Sequence, residues 1–216
     1  MMQHRTNLII LILVSLFFIP TLSEAEWYVG GQAGFSRPND LEDIEGIKSA
    51  KGITLNDQDL HNAFGYGMKI GYFFPDRMNW LGLEFEAFTS NPHIKQQNVT
   101  ASTGGSSITL SSVAGTHFRV ITPAVNLIFR FPGYYVEPYA GAGVGAFIGT
   151  LSGDAGSDTD LSPGVNALGG LRFYFNDEIA LFTEYKYNYT KFEFSDSFIK
   201  GTYSSHALYM GLSYHF

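Results

Sequence analysis

Cysteine is absent from the 216-residue chain, which excludes disulfides, thiolate metal sites, cysteine nucleophiles and a lipid-modified cysteine. Charge is scarce as well, because Asp, Glu, Lys and Arg make up 15% of the residues, against about 25% in ordinary soluble domains. The formal net charge of −7 and the lack of a Lys/Arg-rich run exclude a basic surface that would bind nucleic acid. The shortage of charge indicates that part of the protein surface does not face water.

Long apolar runs are missing too, except near the N-terminus. The run from Leu8 to Ile19 is shorter than the roughly 20 residues that a membrane-spanning helix needs. It follows Arg5 and precedes the small residues of Ser23-Glu24-Ala25, which is typical of a secretory signal peptide. We predict a signal peptide over residues 1–25, cleavage after Ala25 and a mature domain over residues 26–216.

What the rest of the chain contains is a period of two, which is the period of β-strands. Eight such segments are predicted as strands, and they span residues 27–35, 64–74, 80–89, 118–131, 134–149, 164–175, 179–194 and 206–216. Short turns follow the second, fourth and sixth segments, whereas polar segments of about 28, 28, 14 and 11 residues follow the others. Alternating short turns and long loops are typical of an outer-membrane barrel.

The two faces of these segments differ sharply. One face is apolar and free of charge, as the hydrocarbon of a bilayer requires. The other carries the polar residues and many glycines, as in GAGVGAFIG and GYGMKIGY, and this suits a narrow interior. Aromatic residues at the short-turn ends form an interfacial girdle: Trp27, Phe74, Phe131, Tyr134, Phe175 and Phe216. Pro123 and Pro138 interrupt two segments, where we expect bulges or strand ends.

The fold class predicted is therefore all-β, an eight-stranded antiparallel up-and-down transmembrane β-barrel with four loops outside the cell and both termini in the periplasm. Its interior would hold four positive and four negative side chains, namely Lys69, Glu84, Glu86, Arg130, Glu137, Arg172, Glu184 and Lys186. We expect Lys69 to face Glu84 directly, and Arg130 with Glu137 and Arg172 with Glu184 to meet diagonally. This lumen charge network is either an ion-selective pore or a salt-bridged core, and the small diameter of eight strands favours the core.

The chain resembles the OmpA-like, opacity-type eight-stranded outer-membrane barrels. The resemblance rests on YVGGQAGFS, VEPYAGAGVGAF, GLRFYFNDEIALFTEYKYNY and the final GLSYHF, and covers residues 26–216. It implies a structural, adhesive or ligand-binding role, and we expect no periplasmic domain after the eighth strand. It also implies that the last strand carries an assembly signal read by the barrel-assembly machinery, formed by Leu208, Met210, Leu212, Tyr214 and Phe216.

Candidate chemistry is sparse. Ser204, Ser205 and His206, with Glu193 nearby in sequence, contain the residue types of a lipid-modifying acyl-transfer site, but no nucleophile motif surrounds them. Asp154, Asp158 and Asp160 have the residue type of a calcium site without the spacing of an EF-hand loop. We predict no catalytic, cofactor or metal site.

The predicted function is that of a non-enzymatic surface protein of the outer membrane of a Gram-negative bacterium. It would be structural, or would bind an extracellular protein or host ligand through its loops. The alternatives are a small-solute or ion channel and, less favoured, a lipid-modifying enzyme. Expected partners are membrane lipids including lipopolysaccharide and, during insertion, the assembly machinery.

Overall fold

The computed structural model describes residues 26–39, 42–48, 51–55, 60–92, 97–103, 106–113, 117–153, 156–194 and 199–216. The predicted signal peptide lies outside these residues. The barrel wall consists of the strands β1 (Glu26–Pro38), β4 (Ala63–Phe73), β5 (Leu81–Ser90), β8 (His117–Arg130), β9 (Val136–Gly153), β10 (Gly156–Tyr174), β11 (Ile179–Phe194) and β12 (Ile199–His215).

These eight strands form one closed antiparallel barrel in the order β1-β4-β5-β8-β9-β10-β11-β12, because β12 also pairs with β1. The seam runs from Tyr28 opposite His215 to Pro38 opposite Ser205. Two backbone hydrogen bonds between Trp27 and Phe216 extend it by one more pair, at 3.0 and 2.8 Å. The predicted fold class is therefore confirmed.

The side chains divide as the period of two requires. Large apolar residues of the wall are exposed on the outside, such as Phe35, Met68 and Leu208, and polar residues are buried on the inside. Most of the predicted girdle, including Phe131, Tyr134 and Phe175, is also exposed. No helix among the described residues is long and apolar enough to cross a membrane.

Tight connections join the strands at the girdle end, as predicted. A short 3-10 turn over Asp76–Met78 lies between β4 and β5. Pro132-Gly133 follows β8, and the backbone of Gly133 has a φ of 93°, a conformation that residues with a Cβ rarely adopt.

The third and fourth loops were predicted too long. The structure continues β9 to Gly153, begins β10 at Gly156 and begins β12 at Ile199. The alternation of polar and apolar residues fades there because the outer face of a wall beyond the membrane no longer has to be apolar, while the backbone ladder continues. Strands β9 to β12 contain 18, 19, 16 and 17 residues, more than the 9–11 or so that cross a bilayer.

The first and second loops also contain strands that the sequence did not predict. They are β2 (Glu42–Gly46), β3 (Thr54–Leu55), β6 (Gln97–Thr103) and β7 (Ser106–Val113). β2 pairs with the outer end of β12 and continues through β3 to the β6–β7 hairpin. These four strands are called the extracellular sheet below, after the side of the membrane on which the sequence predicts the long loops.

The prediction of bulges or strand ends at the two prolines holds only in part. Pro138 is the third residue of β9, close to its end, and stays opposite Leu171. Pro123 lies in the middle of β8 opposite Ala87, with no shift of register. It is tolerated there because the paired residues of β8 and β9 omit Thr122 and Pro123.

Candidate functional site

The centre of the lumen is filled by an ion-pair network that spans the barrel. Lys186 on β11 forms an ion pair with Glu86 on β5, four strand steps away. In a barrel of eight strands these two are diametrically opposite. Lys186 also lies 3.2 Å from Glu184, and Lys69 lies 2.7 Å from Glu184 and 3.3 Å from Glu84. Five charged side chains therefore join opposite walls.

Neutral donors complete the coordination of these carboxylates. The Tyr28 hydroxyl donates to Glu84 at 2.6 Å, and the Tyr139 hydroxyl donates to Glu184 at 3.0 Å. The side-chain amide of Asn126 donates to Glu84 and to Glu86, at 3.2 and 2.9 Å. Removing charges from water costs several kcal/mol each unless ion pairs and hydrogen bonds offset the loss, and this network supplies both.

A second cluster lies nearer the girdle. Arg172 lies 2.8 Å from Glu137, and Arg130 lies 3.6 Å from Glu137 and 2.6 Å from Glu26. His215 approaches the same Glu26 carboxylate at 2.6 Å. The Arg130 guanidinium also stacks over the ring of Phe73, 3.6 Å from its centroid, in a favourable cation–π arrangement.

The structure thus brings all eight predicted charges into two clusters. Two of the three expected pairs form, Lys69 with Glu84 and Arg130 with Glu137, and the third does not. Lys69 does contact Glu84, but the register sets Lys69 opposite Glu86. The expected pair of Arg172 with Glu184 is wrong, since Arg172 binds Glu137 and Glu184 binds the two lysines. Arg172 and Glu137 are directly opposite in the register of β9 and β10, whereas the contact of Lys69 with Glu184 crosses the lumen and cannot be foreseen from cross-strand spacing.

Two members of the second cluster were missed. Glu26 and His215 lie on the inward face at the ends of the strands that form the seam, and only barrel closure brings them together. The alternation of faces could have predicted both. Glu26 is two residues before the inward Tyr28, and His215 lies between the outward Tyr214 and Phe216.

Above the ion pairs, toward the end of the barrel that carries the long loops, an aromatic cluster closes the lumen. Phe118 makes edge-on contacts with Phe192, Phe194 and Tyr203, with centroids 5.7 to 6.4 Å apart. Val120 and Phe147 complete the walls, and Ile44 of β2 and Leu60 of the first loop cover the cluster from outside. The first loop is therefore part of the seal of the barrel.

The extracellular sheet is joined to the barrel by backbone pairing and by one exposed ion pair. Glu45 lies opposite Lys200 in the register, and their charged atoms are 2.9 Å apart. The hydrogen bond and charge of Lys200 lower the pKa of Glu45 below its ordinary value, and Glu45 in turn raises the pKa of Lys200. At neutral pH both groups are charged.

The candidate acyl-transfer residues are divided between the two faces of the wall. Ser205 is buried on the inner face and accepts a hydrogen bond from Asn188 at 3.2 Å. His206 is the next residue of the strand and points to the outer face, where its Nδ1 lies 2.6 Å from the Tyr185 hydroxyl. The Ser204 hydroxyl accepts a hydrogen bond from Asn39 at 2.8 Å, and Glu193 lies opposite Lys200.

The acidic third loop does not gather a metal site in the described part of the chain. Asp154 lies outside the described residues. Asp160 accepts hydrogen bonds from the Ser162 hydroxyl on its own strand and from the Glu193 backbone amide on β11, at 2.5 and 3.0 Å, and the second of these links β10 to β11. No group of three or more His, Asp or Glu within the described ranges is arranged to hold a metal ion.

The predicted assembly-signal residues lie on the outer, lipid-facing side of β12 and in the residue after it. Leu208, Met210 and Leu212 are exposed there, and Phe216 stacks on Tyr214 with centroids 6.0 Å apart. Their role in assembly stays a prediction.

A family model described as "Outer membrane protein beta-barrel domain" matches residues 9–216. The chain belongs to this family. The closed barrel and its apolar outer surface accord with that membership.

Solved structures similar to the chain have the same fold at low sequence identity. Neisserial surface protein A (NspA) is 16% identical with a TM-score of 0.56, over 87% of this chain and 96% of that one. OprG from Pseudomonas aeruginosa is 17% identical with a TM-score of 0.52, over 90% and 96%. Ail of Yersinia pestis, solved with the heparin analogue sucrose octasulfate, is 15% identical with a TM-score of 0.50, over 90% and 100%. No curated protein matches the chain in sequence.

Proposed function

We propose that the protein is a non-enzymatic surface protein of the outer membrane, in which a sealed barrel supports an extracellular sheet that binds a ligand outside the cell. Export would remove residues 1–25, and both termini of the mature chain would lie in the periplasm. The observation that carries the proposal is the doubly closed lumen, with an ion pair between opposite strands and an aromatic cluster above it.

A sealed lumen argues against the alternative of an ion or small-solute channel. The side chains of Glu84, Glu86, Glu184 and Lys186 are at most 1% exposed, so a hydrated path through this layer would have to separate paired charges. The test is conductance in a planar bilayer, with insertion verified by flotation of proteoliposomes. We expect no steady single-channel steps, and steps whose size changes in an E84Q variant would replace this proposal with the channel.

The extracellular sheet supports binding through its backbone. β7 is the last strand in the order and has no described neighbour beyond β6. A free strand edge presents unpaired N–H and C=O groups, which an extended segment of another protein can pair with by adding a strand. We infer that the ligand is an extended polypeptide segment that docks on β7.

The binding proposal is tested by replacing residues 97–113 with a short Gly/Ser turn. Cells that carry the parent protein should adhere to cultured epithelial cells, and the hairpin variant should lose most of this adherence while its barrel still folds. The matched control shortens the β9–β10 hairpin beyond Leu151 and Asp158, which should leave adherence unchanged. Equal adherence of cells with and without the hairpin would overturn the proposal.

The arrangement of the candidate serines argues against the enzyme alternative. Ser204 is on the same face as His206, but its hydroxyl accepts a hydrogen bond from Asn39. A serine nucleophile needs its base within hydrogen-bond reach, whereas Ser205 and His206 point to opposite faces of the wall. Mass spectra of lipid A acyl chains should be the same with the parent and with a Ser205→Ala variant.

A further inference from the structure

A polar row lies on the lipid-facing side of the barrel, at the outer end of β1 and at the same level on the neighbouring strands β11 and β12, which continue beyond it. The register sets Tyr187 opposite His206 and His206 opposite Arg37. Arg37 is exposed, and no ion pair among the described residues includes it. Placing an arginine against hydrocarbon costs free energy unless its side chain reaches the membrane interface. The row therefore indicates that an anionic group lies in the membrane at the level of Arg37.

An apolar surface lies directly below the row. Phe35 is opposite both Leu208 and Phe64 in the register, and the two phenylalanine rings are 5.9 Å apart. All three are more than half exposed, at 71%, 63% and 55%. Two residues along a strand amount to about 7 Å, so acyl chains that lie on this surface place their headgroup level with Arg37.

A polar cavity of about 590 Å³ opens above the row. Its walls include Arg37, Asn39, Glu42, His61 and Asn62. The guanidinium suits a phosphate, because its fork of donors matches phosphate oxygens. The two amides and the Glu42 carboxylate can bind the hydroxyl groups of a sugar, and the carboxylate makes the cavity a poor match for a bare polyanion.

Two hydrogen bonds hold the outer face in this arrangement. The Tyr185 hydroxyl lies 2.6 Å from Nδ1 of His206, and the Asn39 amide donates to the Ser204 hydroxyl at 2.8 Å. Asn39 is thereby tied to β12 next to Arg37. The polar groups stay above the apolar surface, as an amphipathic ligand requires.

We propose that the outer face of β11, β12 and β1 is a binding site for a phosphorylated glycolipid of the outer leaflet. Its acyl chains lie over Phe35, Phe64 and Leu208, a phosphate binds Arg37, and its sugar hydroxyls enter the cavity above. The site is on the barrel wall and is independent of the β7 edge, so either proposal can fail while the other stands.

The test is native mass spectrometry of the detergent-folded protein, titrated with a bis-phosphorylated acylated disaccharide and with the same lipid after enzymatic dephosphorylation. Arg37→Gln should weaken binding of the phosphorylated lipid by about tenfold, the loss expected for a charge-assisted hydrogen bond. Binding of the dephosphorylated lipid should be the same in the parent and in R37Q. The control is Arg119→Gln on β8, an exposed arginine three strands away, which should bind both lipids as the parent does.

Three results would overturn the proposal. Equal losses of affinity for the phosphorylated lipid in R37Q and R119Q would show that the effect is one of general surface charge. Equal losses of R37Q toward both lipids would remove the phosphate contact. If neither the parent nor any variant binds the lipid saturably, the site does not exist. The gel mobility of unheated samples verifies that each variant is folded.

Discussion

Lys186 is the residue on which the central network depends most. It pairs with Glu86 and Glu184 while fully buried. Lys186→Met leaves two buried carboxylates short of a partner, and breaking a buried ion pair in this way costs about 3–5 kcal/mol. We expect the free energy of unfolding of the barrel to fall by about that amount, measured by urea titration in lipid vesicles.

The control for this prediction is Lys191→Met, an exposed lysine on the outer face of the same strand, which should change little. A Glu86→Gln/Lys186→Met double variant should recover part of the loss, because it removes both charges of the pair. A stability of K186M equal to that of K191M would contradict the role assigned to the network.

Gly71 illustrates why glycines are frequent on the inner face. A Cβ at this position would overlap the ring of Tyr28, whereas a Cβ at Gly31 on the outer face of the neighbouring β1 would meet nothing within 4 Å. Overpacking a full interior costs about 1–3 kcal/mol. Gly71→Ala should therefore lower the free energy of unfolding and Gly31→Ala should not, and the same urea titration distinguishes them.

The prediction for Gly71 fails if both alanine variants unfold at the same urea concentration. The Tyr28 ring would then have room to move, although its hydroxyl is fixed on Glu84.

At the scale of single elements, β2 is attached to the barrel wall through a short pairing with β12. Its pairing with β12 contains a register irregularity between Lys200 and Thr202, and its side-chain support includes the exposed pair of Glu45 and Lys200. Lys200→Gln should speed amide exchange of Glu42–Gly46 at neutral pH. The control is Lys51→Gln in the same loop, an exposed lysine that should leave this exchange unchanged.

The pH dependence of this effect follows from the shifted pKa values of Glu45 and Lys200. Because the pKa of Glu45 is lowered, its contribution is present above the ordinary pKa of Glu, about 4.3, and is lost as pH falls through the lowered value. The raised pKa of Lys200 gives a contribution that is lost as pH rises through the raised value. The difference in amide exchange between the parent and K200Q, compared at the same pH, should vanish below the lowered pKa of Glu45 and above the raised pKa of Lys200. It should also vanish at high salt, which screens the pair. A difference that persists at low pH would contradict the ion pair as its cause.

The elements that the sequence predicted well are those inside the bilayer. There the lipid forces one face of every strand to be apolar, so β1, β4, β5 and β8 were predicted nearly to their ends. β11 was predicted to its full length, whereas the outer parts of β9, β10 and β12 and the whole extracellular sheet were missed. Ser152, Asp158 and Ser162 lie on strands that leave the membrane, where the outer face no longer has to be apolar.

At the scale of the whole molecule, the barrel is closed by β1 and β12, and Phe216 forms the last backbone pair with Trp27. The resemblance implied that the ring of Phe216 also serves the assembly machinery. Phe216→Ala keeps the backbone hydrogen bonds and removes the ring, so we expect less protein in the outer membrane but unchanged stability of what is inserted. Quantitative immunoblots of membrane fractions measure the first, and urea titration measures the second.

Phe131→Ala is the matched control, since Phe131 is an exposed girdle residue at the end of another strand. Outer-membrane levels of F216A equal to those of F131A would show that position 216 has no special part in assembly.

The sequence alone determined the number of barrel strands, the lipid-facing residues and the eight charges of the interior, because a bilayer constrains each strand separately and leaves its mark at every second residue. Only the tertiary structure decided the partners of those charges, the aromatic closure of the lumen and the juxtaposition of Arg37 with His206. These depend on distances across the lumen and between strands remote in sequence, which exist only once the barrel has closed.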